Sequence, residues 1–211
     1  MEPTAQENPE TTPSKQLTAT IGLIATIVVV YILTTFPEFT RPADWALEWG
    51  LFHPKAIDAG QWWRIVTASV LHADIAHLAM NGFAIYIFGS LIEPALGTRQ
   101  MLVLFIVSTI GTWLLSYLFL PSSSLGASGI GYGLMGACFT LILRVQWLTG
   151  NKEFLQSLRG FGLYVLIFLA WNYMDQTTVN LWGHLGGFIA GVLYGLTGIQ
   201  LAKVKVEPSD S

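Results

Sequence analysis

Leu125-Gly126-Ala127-Ser128-Gly129-Ile130-Gly131-Tyr132-Gly133-Leu134-Met135-Gly136 is the stretch on which the reading of this chain turns. It follows Pro121 and the serines Ser122 to Ser124, and it runs directly into an apolar segment. Glycines crowd a serine at the place where a loop becomes a helix. The first N–H groups of a helix have no carbonyl partner within it, so a hydroxyl held there lies near donors able to stabilise an oxyanion. Taken alone, the stretch has a simpler reading: serine is a favoured N-cap, and Ser128 would only close the helix start. The sequence around it decides between the two.

Hydrophobic residues make up 53% of the 211 and charged residues 11%, against about 25% charged in soluble domains. A chain of this composition has few faces turned to water, which makes it an integral membrane protein with the lipid bilayer as its first partner. The net charge of −3 is small, and no basic patch points to nucleic acid. The single cysteine, Cys138, cannot form an internal disulfide.

Residues 1–16 are polar, with Glu2, Glu7, Glu10 and three prolines, and read as a disordered tail. Leu17 to Phe36 is uncharged, and at ~1.5 Å per residue it is long enough to cross a ~30 Å hydrocarbon core. It ends without a small-x-small cleavage site and reads as a retained first span. Residues 37–70 form a long connection that mixes Glu38, Arg41, Asp44, Glu48, Lys55, Asp58 and Arg64 with Trp45, Trp49, Trp62 and Trp63. Amphipathic aromatics among charges belong at a membrane–water boundary, so short interfacial helices are expected here. Further apolar segments follow at about 75–91, 101–120, 128–148, 161–173 and 181–201. Pro94 with Gly97 separates the second from the third, and Pro121 the third from the fourth. The expected architecture is therefore all-α, with six spans over residues 17–201 and a short C-terminal tail, 202–211.

Lysine and arginine orient the spans. With the N-terminus inside, the inner segments carry Lys15, Arg99, Arg144, Lys152, Arg159, Lys203 and Lys205, while Arg41, Lys55 and Arg64 in the first loop are the outer ones. Both termini are then cytoplasmic. Spans 2, 4 and 6 enter from the outer side, which brings three sets of polar residues to one shallow depth. Ser128 opens span 4, His184 lies about a turn inside span 6, and His77 and Asn81, four residues apart, share a face of span 2. Polar groups among membrane-buried apolar residues are costly and are functional candidates.

Glycine spacing shows how they could meet. Gly183, Gly187, Gly191 and Gly195 recur every fourth residue in span 6, as do Gly129, Gly133 and Ala137 in span 4. Small residues at this interval let helix backbones approach. Packing through these stripes would bring Ser128 to His184, and a serine with a histidine base suffices for nucleophilic acyl chemistry. Each feature also has a plain structural reading: a glycine stripe as packing, a lone histidine as a hydrogen-bonder, His77 and Asn81 as ties to the first loop. A metal site built from His72, Asp74, His77 and His184 is disfavoured, because His72 and His77 are five residues apart, roughly 140° round a helix.

Four motifs in order make the chain resemble a rhomboid intramembrane serine protease: Trp63-Arg64; His72, His77 and Asn81; Gly126-Ala127-Ser128-Gly129 with Tyr132; and Gly183-His184-Leu185-Gly186. The resemblance covers roughly residues 17–200. Gly183 departs from it, since the family commonly has alanine there. The resemblance implies a six-helix bundle of the bacterial type and a Ser128–His184 dyad without an orienting acid. It implies an oxyanion site of the Ser128 N–H with His77 and Asn81, Tyr132 packed on the imidazole, and Gly126 and Gly129 admitting the substrate backbone. It further implies no metal or cofactor, transmembrane proteins as substrates, and a site near the outer face of a plasma membrane. Span 5, with Trp171 near its end, is the expected gate beside span 2. The rivals are a rhomboid-like protein that binds membrane helices without cutting them and a small transporter. The first usually lacks the serine or histidine, and the second finds no support in inverted repeats or acidic span residues.

Overall fold

The computed structural model describes residues 17–35, 44–149, 161–163, 165–166, 170 and 179–197. Its helices, in chain order, are α1 (Thr18–Thr35), α2 (Trp45–Glu48), α3 (Pro54–Asp58), α4 (Arg64–Ala68), α5 (Ile75–Leu96), α6 (Thr98–Phe119), α7 (Ser128–Thr149) and α8 (Leu181–Thr197). Four of them (α1, α5, α6 and α7) are long and apolar enough to cross a membrane, and α8 is a shorter apolar helix. The protein is an all-α membrane bundle. The fifth apolar segment lies mostly outside the described residues. Its first residue, Phe161, packs between Phe88 of α5 and Phe139 of α7, with ring centroids 6.2 and 5.8 Å away. Trp171, on which the expected gate rests, is outside the described residues.

The bundle is built round a seam of small residues. A methyl group placed on Gly187 would collide with the Gly129 carbonyl, and one on Gly191 with the Gly133 carbonyl; one on Gly195 would lie 2.7 Å from Thr140 Cβ. The contacts advance in the same direction along both chains, so α7 and α8 run parallel with their backbones touching. The third member of the seam is α6, which runs the other way. Its Ser108 and Thr112 fill the spaces left by Gly133 and Gly129, and Gly111 meets Gly186 and Ala190 of α8. The stripe on α7 and α8 is the one the glycine spacing implies. The complementary row on α6 (Ser108, Thr112, Ser116, with Gly111) went unread, because hydroxyl residues in a hydrophobic span do not stand out as a packing face.

The outer faces are different. Of the 18-residue windows, 67% is buried in α7 but only 22% in α1. At one end α1 is held by Glu93, whose carboxylate accepts from the backbone N–H groups of Ala19 (2.7 Å) and Thr20 (2.9 Å) and from the Thr20 hydroxyl (2.6 Å). Thr98 adds a fourth donor. A carboxylate there meets the orphan N–H groups of the helix start. On sequence alone the second apolar run ends near Leu91 and Pro94 breaks it from the third, which leaves Glu93 outside the span. Instead α5 continues through Pro94 to Leu96, and Gly97, at φ 76°, makes the turn. Pro94 gives no N–H to the helix ladder, and α5 runs only two residues past it.

The described part of the long first connection, 44–70, folds as the short helices α2, α3 and α4. Arg64 is buried and staples it: Nη1 donates to the carbonyls of Leu47 and Leu51, both at 3.0 Å, and Nε to Gln61 Oε1 at 2.6 Å. Trp49, Trp62 and Trp63 stay exposed. The connection is tied to the bundle by Trp113 of α6, which stacks on Phe52 at 4.8 Å and donates its indole N–H to Ser69 Oγ at 2.6 Å.

Candidate active site

Residues 121–127 reach α7 along the first connection. Phe52 and Ser124 exchange backbone hydrogen bonds of 3.0 and 3.1 Å, and the Gly126 N–H donates to the Ala68 carbonyl at 2.8 Å. These bonds fix the approach to Ser128. The Ala127 carbonyl accepts from the Ile130 and Gly131 N–H groups, so Ala127 stands at the cap position and Ser128 is the first helical residue. That removes the simple capping reading. The N–H groups of Ser128 and Gly129 precede the first intrahelical bond and have no carbonyl within α7 to meet.

The Ser128 hydroxyl points across the seam instead. Its Oγ lies 2.8 Å from His184 Nε2, hydrogen-bonded. Tyr132, one turn further along α7, stacks on the imidazole with centroids 4.4 Å apart and planes 23° from parallel. His184 is buried, and its Nδ1 has no hydrogen-bond partner among the described residues. Among the described residues no carboxylate orients the ring. Stacking, the Ser128 bond and the close α7–α8 contact hold it.

His77 and Asn81 arrive from α5, whose start is capped by the Asp74 carboxylate accepting from the His77 N–H at 2.8 Å. Both side chains converge on Gly126, two residues ahead of Ser128. A methyl group there would lie 2.7 Å from His77 Nε2 and 3.6 Å from Asn81 Nδ2, and Gly126 has φ 122°. Only glycine serves at such a point. The buried Asn81 Nδ2 has no acceptor among the described residues, so a donor faces the region in front of the serine. His72 precedes α5, fully buried. Its Nδ1 is 3.2 Å from the Val70 carbonyl and its ring is edge-on to His77 at 5.1 Å. Among the described residues no three His, Cys, Asp or Glu side chains are grouped as metal ligands.

Gly129 is also a packing position: its Cα faces Thr112 of α6 and its carbonyl faces Gly187 of α8. A residue missed at the sequence level is Asn180, just ahead of α8. Its Oδ1 accepts from the Gly183 N–H and its Nδ2 donates to Ser116 Oγ of α6, both at 2.8 Å. The available signal was an asparagine three residues before a glycine at a helix start, an N-cap pattern.

A serine hydroxyl bonded to an imidazole lies inside a bundle of apolar helices, beside the buried Asn81 amide that has no acceptor among the described residues, an arrangement suited to a membrane-embedded serine hydrolase. The profile of the Rhomboid domain matches residues 59–201, and the chain belongs to the rhomboid family of intramembrane proteases. It is a multi-pass membrane protein. It is similar to Rhomboid protease GluP of Bacillus subtilis (29% identical over 175 residues, 82% of this chain and 33% of that protein). It is similar also to the Arabidopsis thaliana RHOMBOID-like protein 6, mitochondrial (37% over 151 residues, 71% and 47%). A third relative is Rhomboid protease GlpG of Serratia proteamaculans (29% over 189 residues, 87% and 64%). The chain spans between a third and about half of the length of the first two of these relatives.

Proposed function

We propose that this protein is an active intramembrane serine endopeptidase that cuts transmembrane proteins with a Ser128–His184 dyad. The observation that carries the reading is the 2.8 Å bond between Ser128 Oγ and His184 Nε2 across the α7–α8 seam. Ser128 Oγ attacks the scissile carbonyl carbon while its proton passes to His184 Nε2. The oxyanion is met by the Ser128 N–H, Asn81 Nδ2 and, in its Nε2-protonated form, His77. Collapse of the tetrahedral adduct breaks the C–N bond, and the proton on His184 goes to the leaving amine. Water, deprotonated by His184, then attacks the acyl-serine, and Ser128 regains its proton.

The proposed protease domain spans 17–201, with the tails outside it. It sits in a plasma membrane, as in bacteria, with both termini cytoplasmic and the site near the outer face; the lysine and arginine distribution supports that orientation. A site at the first turns of α5, α7 and α8 stays within reach of water while its substrate arrives from lipid. The chemistry needs neither metal nor cofactor.

Reconstitution in liposomes with a tagged single-span substrate tests this. Wild type releases a fragment, and Ser128→Ala and His184→Ala release none. A folded wild type that leaves a panel of such substrates intact, while binding them, would make the protein a helix-binding member of the family instead.

A further inference from the structure

Among the described residues His184 meets no acid of the kind that fixes the histidine of a triad, and its Nδ1 is unpartnered. What fixes the first turn of α8, where His184 sits, is Asn180. Its carbonyl oxygen accepts from the Gly183 N–H, its amide donates to Ser116 Oγ, and its backbone carbonyl accepts from the His184 N–H at 3.0 Å. Ser116 in turn donates to the Thr112 carbonyl at 2.7 Å. Asn180 and Ser116 are both buried. One side chain thus closes the start of α8 and bolts it to α6. Gly183 is part of the same fitting. A methyl group there would lie 2.6 Å from Asn180 Nδ2 and 2.9 Å from Ser116 Oγ. Glycine in place of the family's usual alanine is what leaves room for the bridge.

Resting on the dyad reading above, we propose that Asn180 is a positioning residue for His184, setting the imidazole on Ser128 by bridging the α8 N-terminus to Ser116. Gly183 is its steric complement. The role is supplied through backbone and neighbouring helix, where a triad would use a carboxylate on Nδ1. A displacement of about 1 Å in a reacting group can cost on the order of a hundredfold in rate, so a loose first turn is felt in the chemistry before it is felt in substrate affinity.

The test measures fluorophosphonate acylation and cleavage of a single-span substrate in liposomes for wild type, Asn180→Ala, Ser116→Ala, Gly183→Ala and Asn180→Ala with Ser116→Ala. Thermal melts in detergent normalise each to its folded fraction. The expected result is a fall of about ten- to a hundredfold in acylation rate and kcat for Asn180→Ala, with KM within about twofold. Ser116→Ala and Gly183→Ala shift the same way, and the double variant is no slower than Asn180→Ala, because both act on one bridge. Folded Asn180→Ala and Ser116→Ala at wild-type kcat overturn the proposal, as do effects that multiply or that appear only in KM. If Asn180→Ala does not fold, Ser116→Ala decides alone: lowered kcat at unchanged KM supports the bridge, and wild-type kcat overturns it. An unlabelled, non-cleaving wild type is a different outcome, since it removes the dyad reading itself.

Discussion

α1 and α7 are both apolar helices long enough to span a membrane, yet the bundle holds them in opposite ways. Along its length α7 is gripped closely: Gly129, Gly133 and Gly136 meet the backbone of α8, and the short side chains of Thr112 and Ser108 on α6 fill the spaces at Gly129 and Gly133. By contrast α1 presents Ile21, Val28, Val29, Ile32 and Leu33 outward and is fastened at one end by Glu93. The residues proposed to carry the chemistry lie on the gripped helix and its neighbours. Constellations that must hold within about half an ångström are built on rigid, mutually packed elements. In a bilayer, where apolar surface gives little drive for helices to associate, close packing of small residues supplies that rigidity.

The sharpest way to break this contrast is to put a side chain into the seam. Gly191→Val sets carbon against the Gly133 backbone, which has no rotamer to yield. It should cost about 3 kcal/mol, the upper end for overpacking, read as loss of the folded species in detergent melts. A variant that melts like wild type would show the seam to be plastic. Second comes Asn81→Ala, which leaves the packing intact and removes a donor beside Gly126. The expected fall is ~10²–10³ in kcat with little change in melting temperature, measured by fragment release.

Next is Glu93→Gln, which exchanges an acceptor-only carboxylate for an amide whose N–H₂ faces the α1 donors. A loss of about 1–3 kcal/mol is expected, with kcat per folded molecule near wild type because α1 carries none of the site. An equal drop in kcat would show that α1 reaches the dyad after all. The smallest effect belongs to Gly22→Ala on α1, where an added methyl group meets nothing within 4 Å. Helix propensity there favours alanine by up to about 1 kcal/mol, so the melt should stay put or rise slightly.

How far the sequence could be read follows from the same contrast. Ser128, His184, His77 and Asn81 were legible because polar residues in otherwise apolar spans stand out, and the glycine periodicity pointed α7 at α8. The starts of α5, α7 and α8 at Ile75, Ser128 and Leu181 coincide with the expected ones. Glu93 was not legible, because its partners, Ala19 and Thr20, are more than seventy residues away and Pro94 masked the last turn of α5. Asn180 stayed hidden for a similar reason. Its worth depends on Ser116, 64 residues distant, and nothing local announces such a pairing. That the Gly129 Cα packs on Thr112 is likewise a tertiary fact, which its place in the serine motif does not carry.

The central claim is that Ser128 is activated by His184, and fluorophosphonate labelling of the purified, detergent-solubilised protein addresses it most directly. Wild type should take the label on Ser128, and both Ser128→Ala and His184→Ala, folded by thermal melt, should take none. A folded wild type that stays unlabelled, or a His184→Ala variant that labels as fast as wild type, would contradict the claim.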